Sequence, residues 1–223
     1  VSLQETHNDR SHRAKLKSLV GLLLSNPHIL GFAILVAAVN GIYFRYFAEG
    51  SFYLINLLGL SPSAYDVSFI GLAFAGSLGG WISKRLHNTL TSLEILWRGI
   101  ILILIGTTFF LIISLSLIFI QAPPLFSVIA TVSIMMFISL SITMIAPNCL
   151  SLALEDYQHA VGATSSLFGF FYYALTSFCT LGIGFLHNGT LYPMSLYFFG
   201  IGVFSFIVFI KMIDHGKKTL FGF

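Results

Sequence analysis

Charge is the scarcest property of this chain. Only 9% of its 223 residues are Asp, Glu, Lys or Arg, against roughly 25% in soluble domains. That deficit excludes a water-exposed globular surface and, with 57% hydrophobic residues, requires an integral membrane protein. Cysteine is also scarce. Cys149 and Cys179 fall in or near apolar stretches, where a thiol behaves as a small buried hydrophobe rather than half of a disulfide. No CxxC or Cys/His cluster is present, so no metal site is expected. Neither GxSxG nor HExxH occurs, and no catalytic constellation replaces them, so the chain does not read as an enzyme. The net charge of +3 is not organised as a basic stripe interleaved with aromatics, which argues against nucleic acid as a partner.

What the chain does have is apolar runs of membrane-spanning length. Six spans are predicted, roughly 28–49, 64–86, 94–120, 125–147, 160–186 and 192–213. Gly99–Ile120 and Ala160–Phe185 carry no charge at all. The fold class is therefore all-α, a polytopic bundle of six transmembrane helices. Three parts follow: a cytoplasmic linker over 1–27, the bundle over 28–213, and a cytoplasmic tail over 214–223. Within the linker, residues 13–25 read as a basic amphipathic segment suited to the membrane interface. The 27 residues before the first span hold charges of both signs, unlike a cleavable signal peptide.

Lys and Arg fix the orientation. Arg10, Arg13, Lys15 and Lys17 form one cluster, Lys84, Arg85 and Arg98 a second, and Lys211, Lys217 and Lys218 a third. Six spans place all three on one face, which the positive-inside rule makes the cytoplasm, with both termini inside. The lipid bilayer is the first partner. Glu155 and Asp156 on the same face weigh little against this. Asn188-Gly189-Thr190 matches a glycosylation sequon in an outer loop. The histidines at positions 28, 87, 187 and 215 read as interfacial.

Arg45 is the exception, inside the first span with Glu49 one helical turn later. An intramembrane charge is a functional candidate. Asn40, Tyr43, Arg45, Tyr46 and Glu49 are therefore candidates for a substrate cavity. The competing reading is a boundary pair whose side chains snorkel to the outer interface. Pro147 and Asn148 close the fourth span, where Pro frees a carbonyl and Asn148 can donate to it. They are candidates for a cytoplasmic gate with Lys84 and Arg85, or simply a helix terminus. Gly71, Ala75 and Gly79, with Gly76 and Gly80, and then Gly162, Ser166 and Gly169, form small-residue stripes that let helices approach closely. Leu60-Ser61-Pro62 and Pro123-Pro124 mark turns.

These motifs, in this order and spacing, resemble the second half of a major facilitator superfamily transporter of the Bcr/CflA drug:proton antiporter type. The carriers are Glu5-Thr6 with the basic linker, Leu30-Gly31-Phe32 through Gly59-Leu60-Ser61-Pro62, and Gly76-Ser77-Leu78-Gly79 to Lys84-Arg85-Leu86. Ala146-Pro147-Asn148 and Val161-Gly162-Ala163-Thr164-Ser165-Ser166-Leu167 complete them. The resemblance spans almost the whole chain. It implies two six-helix halves with substrate between them and alternating access by rocking. It further implies export of amphipathic small molecules against protons across a bacterial inner membrane. No cofactor is expected beyond the proton gradient. One half lacks a wall to rock against, so the missing partner is an N-terminal half or a second copy. The alternatives are another solute exporter, for a metabolite or siderophore, and a six-span channel, scaffold or gene remnant that does not transport.

Overall fold

The computed structural model describes residues 21, 26–155, 157, 161–183 and 191–221. The basic amphipathic segment, save Gly21, lies outside the described residues, as do Asp156, His159, His187 and the sequon at 188–190. The Cys179 and His215 side chains also lie outside them.

Every described element is helical. α1 (Pro27–Ser51) starts where Asn26 Oδ1 accepts from His28 N–H at 3.0 Å and Pro27 supplies a fixed φ. It does not stop near Glu49 as the hydropathy suggests. It widens into a π-helical stretch, Phe52–Leu57, and ends at Gly59, whose φ of +71° is a left-handed conformation suited to glycine. α2 (Pro62–Leu86) follows at once, with Ser61 Oγ accepting from Ala64 N–H at 3.2 Å. Lys84 and Arg85 occupy its last turn, where cations complement the helix dipole.

α3 (Ser92–Ile120) opens with a capping box. Thr91 Oγ1 accepts from Glu94 N–H, and Glu94 Oε2 accepts from Thr91 N–H at 2.8 Å. It closes on Gln121 at φ 49°, and Pro123-Pro124 turns the chain into α4 (Pro124–Leu154). α5 (Val161–Ile183) and α6 (Tyr192–Phe221) complete the bundle. All but α5 qualify as membrane-crossing by length and composition. The chain is a multi-pass membrane protein.

Two sequence expectations are corrected. Pro147 does not end the fourth span, because α4 continues to Leu154. Proline removes the bond to the Thr143 carbonyl, but the Asn148 side chain donates to Met144 O at 2.7 Å and Thr143 Oγ1 to Leu140 O at 2.9 Å. The helix continues past this one missing bond, and neither side chain replaces it. The Gly162–Ser166–Gly169 stripe makes no close helix contact. Among the described residues, nothing lies within 4 Å of a methyl at Gly162, and only Tyr172, on the same helix, approaches Gly169.

α1 lies centrally, packed on α4, α5 and α6; α4 also packs on α2 and α3, and α3 on α6. Leu35, Val39, Ile42, Phe110, Ile138 and Phe198 are fully buried between these helices. The closest seam joins α2 to α4. At Gly79 a methyl group would overlap the Leu140 carbonyl and the Thr143 hydroxyl, so only glycine allows this approach. Gly71 and Gly76 face Met136 and Ser139 along the same seam.

Candidate functional site

α1 carries polar side chains on two sides. The inward side holds Arg45, Tyr46 and Glu49. Arg45 is 3% exposed and ion-paired with Glu49, and Tyr46 is fully buried. Arg45 stands about 27 Å along the helix from Pro27 and about 18 Å from Leu57, at 1.5 Å per residue. The pair therefore sits two to three turns inside the helix, turned into the bundle, instead of snorkelling outward. Tyr46, beside Arg45 in sequence, belongs to an aromatic cluster. Tyr46 meets Phe69 of α2 edge-on at 6.4 Å, and Tyr65 meets the same ring at 4.9 Å. Gly50 admits both tyrosines, since a methyl there would meet Tyr46 at 3.2 Å and Tyr65 Oη at 3.4 Å. The guanidinium Nε makes no hydrogen bond among the described residues.

The other side of α1 holds Asn40 and Tyr43, half-buried, beside exposed Phe44 and Phe47. Asn40 Nδ2 donates back to Val36 O at 2.9 Å. The Ser139 hydroxyl of α4 donates to Leu72 O of α2 at 2.8 Å. Its single proton is thereby used, so Tyr43 donates to Ser139 Oγ at 2.6 Å. Three helices meet in this chain of bonds. Next to it, Phe44, Tyr173, Thr176, Ser177 and Thr180 line a groove of about 350 Å³ between α1 and α5. Thr176 Oγ1 lies 2.7 Å from Tyr172 O and 3.3 Å from Ala37 O, holding α5 against α1. Aromatic faces and hydroxyls alternate along this groove. The groove between α3 and α4, lined by Ile105, Phe109, Ile113, Ala130, Ser133, Ile134 and Phe137, is almost wholly apolar.

At the far end of the α2–α4 seam, Asn148 is buried and donates to Ser83 Oγ at 3.0 Å as well as to Met144 O. Lys84 and Arg85 follow Ser83 and are exposed, with the Arg85 guanidinium 4.4 Å over the Trp81 ring. Pro147 is exposed. The residues picked from sequence thus fall into three places: Arg45, Tyr46 and Glu49 inside the bundle, Asn40 and Tyr43 at an open face, and the Lys84–Asn148 group at one end. Ser83, Ser139, Tyr65, Phe44 and Tyr173 were not singled out. Ser139 had a signal, as a hydroxyl in an otherwise apolar span; the groove residues had none.

No protein-family profile matches the chain. Curated relatives do. The chain is 28% identical over 215 residues to an uncharacterized transporter of Rickettsia bellii, a match covering 94% of this chain and 52% of that protein. A transporter of Rickettsia felis, also uncharacterized, is 27% identical over 213 residues, covering 93% of this chain and 52% of that protein. An uncharacterized MFS-type transporter of Bacillus subtilis, YdgK, is 26% identical over 191 residues, 85% of this chain and 45% of its own length. Its curated relatives are transporters. The chain spans about half their length.

Proposed function

We propose that this chain is the second half of a major facilitator-type exporter that moves amphipathic small molecules outward in exchange for protons. The observation that carries the reading is the α1–α5 groove. It pairs exposed aromatic rings, Phe44 and Tyr173, with the Thr176, Ser177 and Thr180 hydroxyls. Small-molecule sites are mostly apolar with a few placed polar groups, which is this composition. Asn40, Tyr43 and Phe47 extend the same face. Substrate binds between this face and a six-helix partner, either an N-terminal half of the same protein or a second copy, and the two rock about it.

In this reading Lys84, Arg85 and Arg98 lie on the cytoplasmic side of a bacterial inner membrane with both termini inside, an orientation that the Lys and Arg distribution supports. Lys84, Arg85, Pro147 and Asn148 then serve the cytoplasmic gate, with Asn148 holding α4 to α2 there. Solute export of a metabolite or siderophore is kept as an outcome of the test. Everted membrane vesicles containing the complete protein are acidified inside, and interior pH is followed as candidate solutes are added. Lipophilic cations are expected to release protons, and Tyr173→Ala or Phe44→Ala to weaken that release several-fold. Proton release with a siderophore or metabolite but not with lipophilic cations selects the other exporter. No solute-dependent release overturns antiport.

A further inference from the structure

We propose that the outer face of α2 binds an anionic phospholipid, with its phosphate on Lys84 and Arg85 and an acyl chain along Trp81, Leu78, Phe74 and Ile70. This site requires only that α2 cross a bilayer, which its length and composition allow. It does not depend on what the protein transports.

The inner side of α2 is occupied. Leu72, Ala75, Gly79 and Ser83 are buried, and Gly79 and Ser83 meet α4. Ile70, Phe74, Leu78 and Trp81 are exposed instead. Their three- and four-residue spacing sets them in one stripe along the helix. Phe74 is 67% and Trp81 51% exposed, so the stripe offers open rings to whatever lies outside. Arg85 follows Trp81 by four residues and continues the stripe with a cation.

Length favours a lipid chain as the occupant. Ile70 stands about 16 Å along the helix from Trp81, at 1.5 Å per residue. One leaflet of a hydrocarbon core roughly 30 Å thick is about 15 Å deep. Tryptophan concentrates at headgroup level. With Trp81 there, Ile70 reaches the bilayer midplane, and the stripe matches the depth of one acyl layer.

The polar end favours an anionic headgroup. The Arg85 guanidinium lies 4.4 Å over the Trp81 ring. That stacking holds a planar fork whose donors suit phosphate oxygens. Lys84 beside it is exposed. Among the described residues, neither cation forms an ion pair. Glu94, the nearest acidic residue in sequence, is engaged by Thr91, whose N–H and hydroxyl donate to it at 2.8 and 2.9 Å. Two cations without a carboxylate, at headgroup depth, complement an anionic lipid. The phosphate of phosphatidylcholine already carries its own cation, whereas that of phosphatidylglycerol does not.

A helical partner would find a better seat on the neighbouring side of α2. Ala73, Ser77 and Gly80 are small there, and nothing among the described residues lies within 4 Å of a methyl at Gly80. Small residues let helices approach closely; the open rings of the stripe suit mobile chains.

The test uses the complete protein with Trp81 as its only tryptophan, reconstituted in phosphatidylcholine vesicles. Within this chain that takes Trp97→Phe, which keeps a ring against Phe209. Lipids brominated on the acyl chain quench a tryptophan they touch. Brominated phosphatidylglycerol is expected to half-quench Trp81 at a several-fold lower mole fraction than brominated phosphatidylcholine. The double variant Lys84→Ala/Arg85→Ala is expected to bring the two curves together. Arg85→Gln alone, which leaves one cation, is expected to shrink their separation. Equal quenching by both lipids before these changes overturns headgroup selection. A separation that survives in both variants puts the lipid elsewhere and overturns this site. Quenching by neither lipid means that a six-helix partner covers the face, which overturns it too. If the separation is seen while no solute drives proton release, the exporter reading fails and this site stands.

Discussion

Asn148 Nδ2 of α4 stands 3.0 Å from Ser83 Oγ of α2, and both side chains are buried. The same amide also donates to Met144 O within its own helix, at 2.7 Å. One side chain thus bonds both to its own helix and to a neighbour. Asn148→Ala should cost about 1–3 kcal/mol, since it strands buried polar groups. Ser83→Ala should cost less, because Asn148 keeps its bond to Met144 O. Thermal unfolding followed by size-exclusion of detergent-solubilised protein measures both, and equal losses would contradict this division.

Gly79 and Gly80 are neighbours in sequence with opposite surroundings. A methyl at Gly79 meets the Leu140 backbone, whereas nothing lies within 4 Å at Gly80. Gly79→Ala should destabilise by roughly 1–3 kcal/mol through overpacking. Gly80→Ala should be neutral or slightly stabilising, because a helix gains from Ala over Gly. The same melting assay separates them.

Arg45 and Glu49 are expected to be interdependent. Glu49→Ala leaves a buried, uncompensated guanidinium and should cost about 3–5 kcal/mol, seen as loss of folded protein in the membrane. The double variant Arg45→Leu/Glu49→Leu should recover much of that yield, since an apolar pair of similar volume can replace a buried ion pair. Recovery no better than Glu49→Ala alone would show that the pair itself, rather than its charge balance, is needed for folding.

Cys149 is fully buried. A maleimide should therefore not modify it in folded protein with Cys179 replaced by Ser. It should become reactive only as the bundle melts, which makes it a reporter for the three experiments above.

The six helices were legible because the apolar runs are long and their breaks carry turn chemistry, and five of them qualify as membrane-crossing. Ser61-Pro62 and Pro123-Pro124 do start helices. Thr91 and Glu94 spell a capping box that could also have been read. The end of α4 was not legible, because proline announces a break, whereas a long helix packed on its neighbours runs on past the single bond it removes. Packing faces were illegible for a related reason. When α3 is apolar all round, its pattern marks no inward side, so Gly99–Ile120 reads as a span and nothing more. The same uniformity hid which side of α1 Arg45 faces. The second small-residue stripe misled because spacing permits close packing without requiring it; among the described residues, nothing lies within 4 Å of a methyl at Gly162. The α1–α5 groove needs two helices side by side and is absent from either sequence segment.

The two polar sides of α1 have a consequence for how such a machine could be coupled. Phe44 looks outward to the groove, while Arg45, Tyr46 and Glu49 look into the bundle. One helix, about 10 Å across with its side chains, is then a septum between the open groove and a buried ion pair. Neighbouring residues in sequence, Phe44 and Arg45, belong to different compartments. A twist of α1 by a fraction of a turn would change what both compartments present at once, with no messenger other than the helix itself.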